Sequence, residues 1–169
     1  MDDFLYLIDK CVGFKLSFLK DIEQKSLDAL QENAMTYDVK ILQAMNMDRA
    51  IFIVGVFSMY ESTLQNKLNC RNGFKEIEKI LKQNNKQLLL NQFLDLKYAI
   101  NALKHGEGIS HNTLLKKENL KIKIKKSHSE VFQEGNITEI ETLILVNDKF
   151  ILDCVKIMHA ISKVLGDRM

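Results

Sequence analysis

Lys97, Asn101 and His105 stand at i, i+4 and i+8 within the run KYAINALKHGEGIS, residues 97–110. On a helix this spacing draws one polar line, with Ile100 and Leu103 turned away from it. A cation, an amide and an imidazole in line suit a phosphodiester. The imidazole can move a proton near neutral pH, and the lysine can steady charge on a phosphorane. Lys104 adds a second cation beside His105. The solvent-facing side of any amphipathic helix can look the same, and a histidine in the last turn also gains from the helix dipole. Spacing alone leaves both readings open.

A second basic feature follows. Lys116, Lys117, Lys121, Lys123, Lys125 and Lys126 crowd together against one acid, Glu118. Residues 120–125 read LKIKIK, strict alternation with one greasy and one lysine face, which predicts a strand. Lys121, Lys123 and Lys125 would then share a face able to follow a nucleic-acid backbone. Lysines also guard exposed sheet edges, and no aromatic is interleaved to stack on bases. His111 lies close enough to the polar line to join it, while His128 falls in a loop or strand start and His159 in the last helix. His105, His111 and Glu107 match no established metal-site spacing. No phosphate-binding glycine loop, GxSxG or HExxH occurs, so neither a cofactor nor a metal is expected.

Several helices must position these residues. Phe4, Leu7, Ile8, Cys11, Phe14/Lys15, Phe18 and Ile22 recur at threes and fours, which predicts a helix over 3–33 with that face inward. Tyr37, Ile41, Ala44, Met45, Ile51, Val54, Phe57, Leu64 and Leu68 continue the pattern, with Asp48 placed to cap or bend the chain between two halves. Residues 51–60 are apolar nearly all round and predict the most buried helix. The stretch 69–73 reads as a turn. A short helix over 74–82 points Phe74, Ile77, Ile80 and Leu81 inward. The motif helix runs from about 86 to 105 and ends at Gly106. Three short strands, with a turn at Gly135-Asn136, predict an antiparallel β insertion at about 119–146. Asn147-Asp148 then caps a last helix closed by Gly166.

The chain has 169 residues and forms one domain, 1–169, on size. It is 46% hydrophobic and 27% charged, enough for a core, and its formal net charge of +2 argues for no partner class. It has no proline, so long helices meet no internal breaker. Cys11, Cys70 and Cys154 are odd in number and far apart; they predict small packed residues rather than disulfides or zinc. The methionines read as packing. The N-terminus carries acids where a signal peptide needs bases, and the most apolar stretch, 50–59, is too short to span a bilayer. A soluble cytoplasmic protein without a membrane partner is expected.

The run NALKHGEG at a helix end, together with FSMYESTLQNKL at 57–68 and its mid-helix Glu61, resembles the HEPN (higher eukaryotes and prokaryotes nucleotide-binding) superfamily. The resemblance covers the helical parts of the chain. It implies a mainly α bundle of four to five helices. In many members an arginine, a polar residue that is often asparagine, three further residues and a histidine form the motif. Two such copies meet across a homodimer as a metal-independent RNA-cleaving site, and many members act as toxins or in phage defence. This sequence keeps the asparagine as Asn101 and the histidine as His105, and has Ile100 at the arginine position. The resemblance therefore implies a metal-independent endoribonuclease. His105 would be its acid or base and Asn101 its orienting amide. Lys97 or Lys104 would supply the cation, and Glu61 would hold the lysine or histidine. With Ile100 in the motif, the alternative is a non-cleaving helical module. It would dimerise and bind RNA or a partner protein such as an antitoxin or a defence subunit.

Overall fold

The computed structural model describes residues 1–33 and 35–166. Among these residues six helices follow in order: α1 (Asp2–Asn33), α2 (Thr36–Leu68), α3 (Gly73–Gln83), α4 (Gln87–His105), α5 (Ile109–Leu115) and α6 (Asp148–Gly166). The expected mainly helical architecture is present. The short α5 was not expected; its seven residues are too few for a periodic signal.

The two long helices pack as a hairpin, and α6 lies against α1, α2 and α4. α2 does not break at Asp48. With no proline to interrupt it the helix continues, and the Asp48 carboxylate accepts from Lys15 Nζ of α1 at 2.9 Å. Ile53, Val56, Phe57, Tyr60 and Leu64 form the buried side of α2, whereas Tyr37, Ile51 and Met59 face outward. By length and composition α2 passes the test for a bilayer-crossing helix, a test that the central helix of a packed core also passes. Phe57, Phe74 and Phe93 cluster with ring centroids 4.6 to 6.4 Å apart and join α2, α3 and α4. The Tyr60 hydroxyl donates to the Met158 carbonyl at 3.2 Å, and burial pushes its phenol up.

The expected inward face of α1 is corrected. Leu5, Ile8, Val12 and Leu19 are buried, while Leu7, Cys11, Phe14 and Phe18 are exposed. The helix carries two apolar stripes rotated from one another, and periodicity alone does not say which one meets the core. Cys11 is accordingly exposed, and Cys154 alone of the three cysteines is buried.

The β insertion is also corrected. Among the described residues there are no strands between α5 and α6, only one antiparallel bridge pairing Ile124 with Ile144. Lys125 N–H donates to the Leu143 carbonyl and Leu145 N–H to the Lys123 carbonyl, at 2.9 and 3.1 Å. Beyond that bridge, side chains take the backbone groups that a ladder would use. Glu139 accepts from the Phe132 and Gln133 N–H groups, Glu130 from Lys126 N–H, and Asn136 from Thr138 N–H. The expected turn at 135–136 is present, with Gly135 at φ +78° and Asn136 N–H donating to the Gln133 carbonyl.

Candidate functional site

A cleft of about 190 Å³ opens where α2, α3 and α4 meet. Lys97, Asn101 and Lys104 of α4 line it, with Ser58 and Glu61 of α2 and Asn72 and Lys75 at the start of α3. Ile100 lies in its wall and is 1% exposed. The residue at the family's arginine position is therefore part of the core.

Gly73 makes this junction close. A β-carbon there would sit 2.9 Å from both the Glu61 carbonyl oxygen and the Leu64 Cβ, so only glycine lets α3 begin flush against α2. Asn72 caps α3 by accepting from Lys75 N–H at 2.8 Å. The start of α3, which favours negative charge, thus borders the cleft.

The charges divide unevenly. Lys97 pairs with Glu78 of α3 at 2.5 Å, so the lysine expected to contact phosphate is already neutralised, and by Glu78 rather than Glu61. Among the described residues, Lys75 and Lys104 have no carboxylate partner. Ser58 donates to the Val54 carbonyl and keeps its oxygen lone pairs for a guest. Two unpaired ammonium groups, two amides and one carboxylate make a small polar hollow suited to an anionic group of phosphate size. Sequence reading placed Glu61, Lys97, Asn101 and Lys104 together. It missed Ser58, which α2 presents, and Asn72 and Lys75, which contribute only through the way α3 docks.

His105 is exposed on the last turn of α4 and does not line the cleft. Gly106 follows at φ +73° and ends the helix. His111 does not join the motif. It is buried on α5, and its Nε2 lies 2.7 Å from the Lys125 carbonyl oxygen. His128 Nδ1 lies 3.2 Å from the Glu141 carbonyl, and His159 pairs with Asp9 of α1 at 2.9 Å.

The three lysines expected on one strand face are separated. Lys121 and Lys123 are exposed. Lys125 is 4% exposed, pairs with Glu139 at 3.1 Å and lies 4.4 Å from the centre of the Phe132 ring. Without a regular strand the alternation does not hold Lys125 outward, and a carboxylate inside the segment draws it in. Desolvation would raise the Glu139 carboxyl, but hydrogen bonds from the Phe132 and Gln133 N–H groups, with Lys125, hold it below the usual range.

A larger hollow, about 410 Å³, lies between residues 132–149 and the α1–α2 pair, with Arg49 in its wall. Arg49 is already committed there to Glu23, Asp148 and Asn46. Among the described residues, no three His, Cys, Asp or Glu side chains gather as a metal site. No family model matches the chain, and neither does a curated protein or a solved structure.

Proposed function

We propose that this chain is a HEPN-like ribonuclease, working in the cytoplasm without metal as a pair of copies in a toxin-like or phage-defence role. The observation that carries the reading is the cleft, which gathers Asn101, Lys104, Lys75 and Glu61 one helical turn from an exposed His105. In this reading Lys104 and Lys75 hold a phosphodiester of single-stranded RNA. Asn101 orients it; His105, one turn beyond the cleft, takes the 2′-hydroxyl proton as that oxygen bonds to phosphorus, and the 5′-oxygen leaves with a proton from water as its bond to phosphorus breaks. Glu61 accepts from the ribose or steadies Lys104. Lys121 and Lys123 extend the contact along the strand. An antitoxin or defence subunit is the natural partner for such an activity.

The test is cleavage of single-stranded RNA in the presence of a chelator. Wild type is expected to cut, and His105→Ala to slow cutting by at least about a hundredfold while keeping its helical circular dichroism. Equal degradation by both would mean that His105 does no chemistry.

A second reading is favoured by the buried Ile100 and the paired Lys97. Without a free cation at the motif position, the same cleft serves a non-cleaving module that binds RNA or a partner protein. That reading expects no turnover, with RNA binding that weakens steeply with salt.

A further inference from the structure

The outward side of the α1–α2 pair is apolar. On α1, Leu7, Cys11, Phe14 and Phe18 follow a four-three-four spacing, and the three large ones are 59%, 75% and 60% exposed. On α2, Ile51 and Met59 are 65% and 62% exposed, with the exposed Gly55 between them. The seam between the helices fixes their relation: Lys15 reaches Asp48 and lies 5.7 Å from the centre of the Phe52 ring. Helical spacing puts Leu7, Cys11, Phe14 and Phe18 on one flank of Lys15, and Ile51, Gly55 and Met59 on the matching flank of Asp48 and Phe52. The two stripes therefore run side by side. Their five large side chains present on the order of 700 Å², near the ~800 Å² that each partner gives to a standard interface. Isolated apolar side chains on a surface need no explanation, but a continuous patch of this size does.

We propose that this face is where a second copy of the chain docks, α1 against α1 in antiparallel about a two-fold axis. The spacing is self-complementary. Reversal sets Leu7 opposite Phe18 and Cys11 opposite Phe14, so apolar meets apolar at every step, and a two-fold interface requires a patch to match only itself. A lipid surface is the other apolar occupant. It calls for a net excess of cations, whereas α1 carries seven acids and four lysines, and Lys15 beside the stripe is already paired with Asp48. The contact lies on α1 and α2, away from the α4 motif end, but the cleft is its neighbour. Ser58 and Glu61 sit one to two turns beyond Gly55 on α2, so a docked copy borders the cleft. The inference rests on the two-copy element of the function proposed above and gives it a surface. Mass and cleavage are read separately, so either can fail alone.

The experiment is sedimentation equilibrium of the full chain from low to high micromolar concentration. The wild type is expected at twice the 19.5 kDa chain mass. Phe14→Asp and Ile51→Asp, both at exposed positions, are each expected to weaken the dimer by at least about a hundredfold with helicity unchanged. Leu88→Asp, at an exposed apolar site elsewhere, should leave the dimer intact. A short bis-maleimide should join two chains through Cys11, and Cys11→Ser should abolish the product. Four results overturn the proposal: a monomer at every concentration, a dimer that both aspartates leave intact, crosslinking that survives Cys11→Ser, or a monomer that instead floats with phosphatidylserine vesicles. Dimers with no RNA cleavage would sink the nuclease reading and leave the interface standing, whereas cleavage by a monomer would sink the interface and the two-copy element and leave only the metal-free cleavage.

Discussion

Lys97, Lys104 and Lys75 are the same residue type in one cleft, yet they should respond differently to truncation. Lys97 is spoken for by Glu78, and both side chains are roughly three-quarters buried. Lys97→Ala should therefore act mainly on the fold, costing on the order of 1 kcal/mol, and, on the proposed RNA-binding reading, leave the salt dependence of binding nearly unchanged. Lys75→Ala and Lys104→Ala remove unpaired cations. Each should weaken RNA binding across sequences and lower the slope of log K against log salt by about 1. Binding isotherms at four salt concentrations decide the matter; a slope that falls with Lys97→Ala but not with Lys104→Ala would reverse the assignment. At this scale the sequence was informative about α4, because Lys97, Asn101 and Lys104 share a helix and their spacing places them. It was silent about Glu78 and Lys75. Lys75 reaches the cleft and Glu78 reaches Lys97 through the angle at which α3 leaves α2, and no local pattern encodes a docking angle.

The segment between α5 and α6 shows what happens when two local preferences compete. LKIKIK has the alternation of a strand, and its apolar half behaves accordingly: Leu120, Ile122 and Ile124 lie against the main core. The remainder is held by Glu139, whose carboxylate takes two backbone N–H groups and the buried Lys125. Lys125→Ala would leave Glu139, only 10% exposed, without its cation. It should cost about 3 kcal/mol, concentrated in this segment. The pH dependence follows from the lowered carboxyl. The folded form binds the Glu139 proton less readily than the unfolded chain does. Its stabilisation is therefore fully present above the usual carboxylate pKa of 4.5 and is lost as pH falls through the lower folded value. Amide exchange over residues 126–142 should accelerate on acidification before that of α2 does, and Glu139→Gln should remove the difference. Uniform acceleration across the chain would count against it. α3 offers a test at the same scale. Gly73→Ala must push α3 away from Glu61 and Leu64, so a loss of roughly 1–3 kcal/mol is expected, together with weaker RNA binding.

Across the whole molecule, the long helices were legible because uninterrupted apolar periodicity needs no tertiary knowledge. Which stripe of α1 faces inward was not, since Leu5-Ile8-Val12 and Leu7-Cys11-Phe14 satisfy the same rule; only contact with α2 and α6 distinguishes them. Arg49 is part of that decision. It lies on α2 with its side chain 6% exposed, binds Glu23 of α1 at 2.8 Å and Asp148 of α6 at 2.9 Å, and so fixes the rotation of α1 and the entry of α6 together. Desolvation works against its charge, but the hydrogen bonds and charges of Glu23 and Asp148 outweigh it and raise its pKa. The two sides of this clamp are not equivalent. Arg49→Met frees carboxylates that are 41% and 45% exposed and can be solvated, and it fills the space with an apolar chain. The loss should be about 2 kcal/mol, a fall of roughly 4–8 °C in melting temperature. Asp148→Ala leaves a buried guanidinium with one carboxylate fewer, and should cost at least as much although the removed side chain is smaller and more exposed. The double variant should melt close to Arg49→Met alone, because once the guanidinium is gone Asp148 has nothing left to neutralise. Melting curves of the four proteins settle it. If the two losses simply add, Arg49 and Asp148 act independently and the rotation of α1 must be set by the apolar contacts alone.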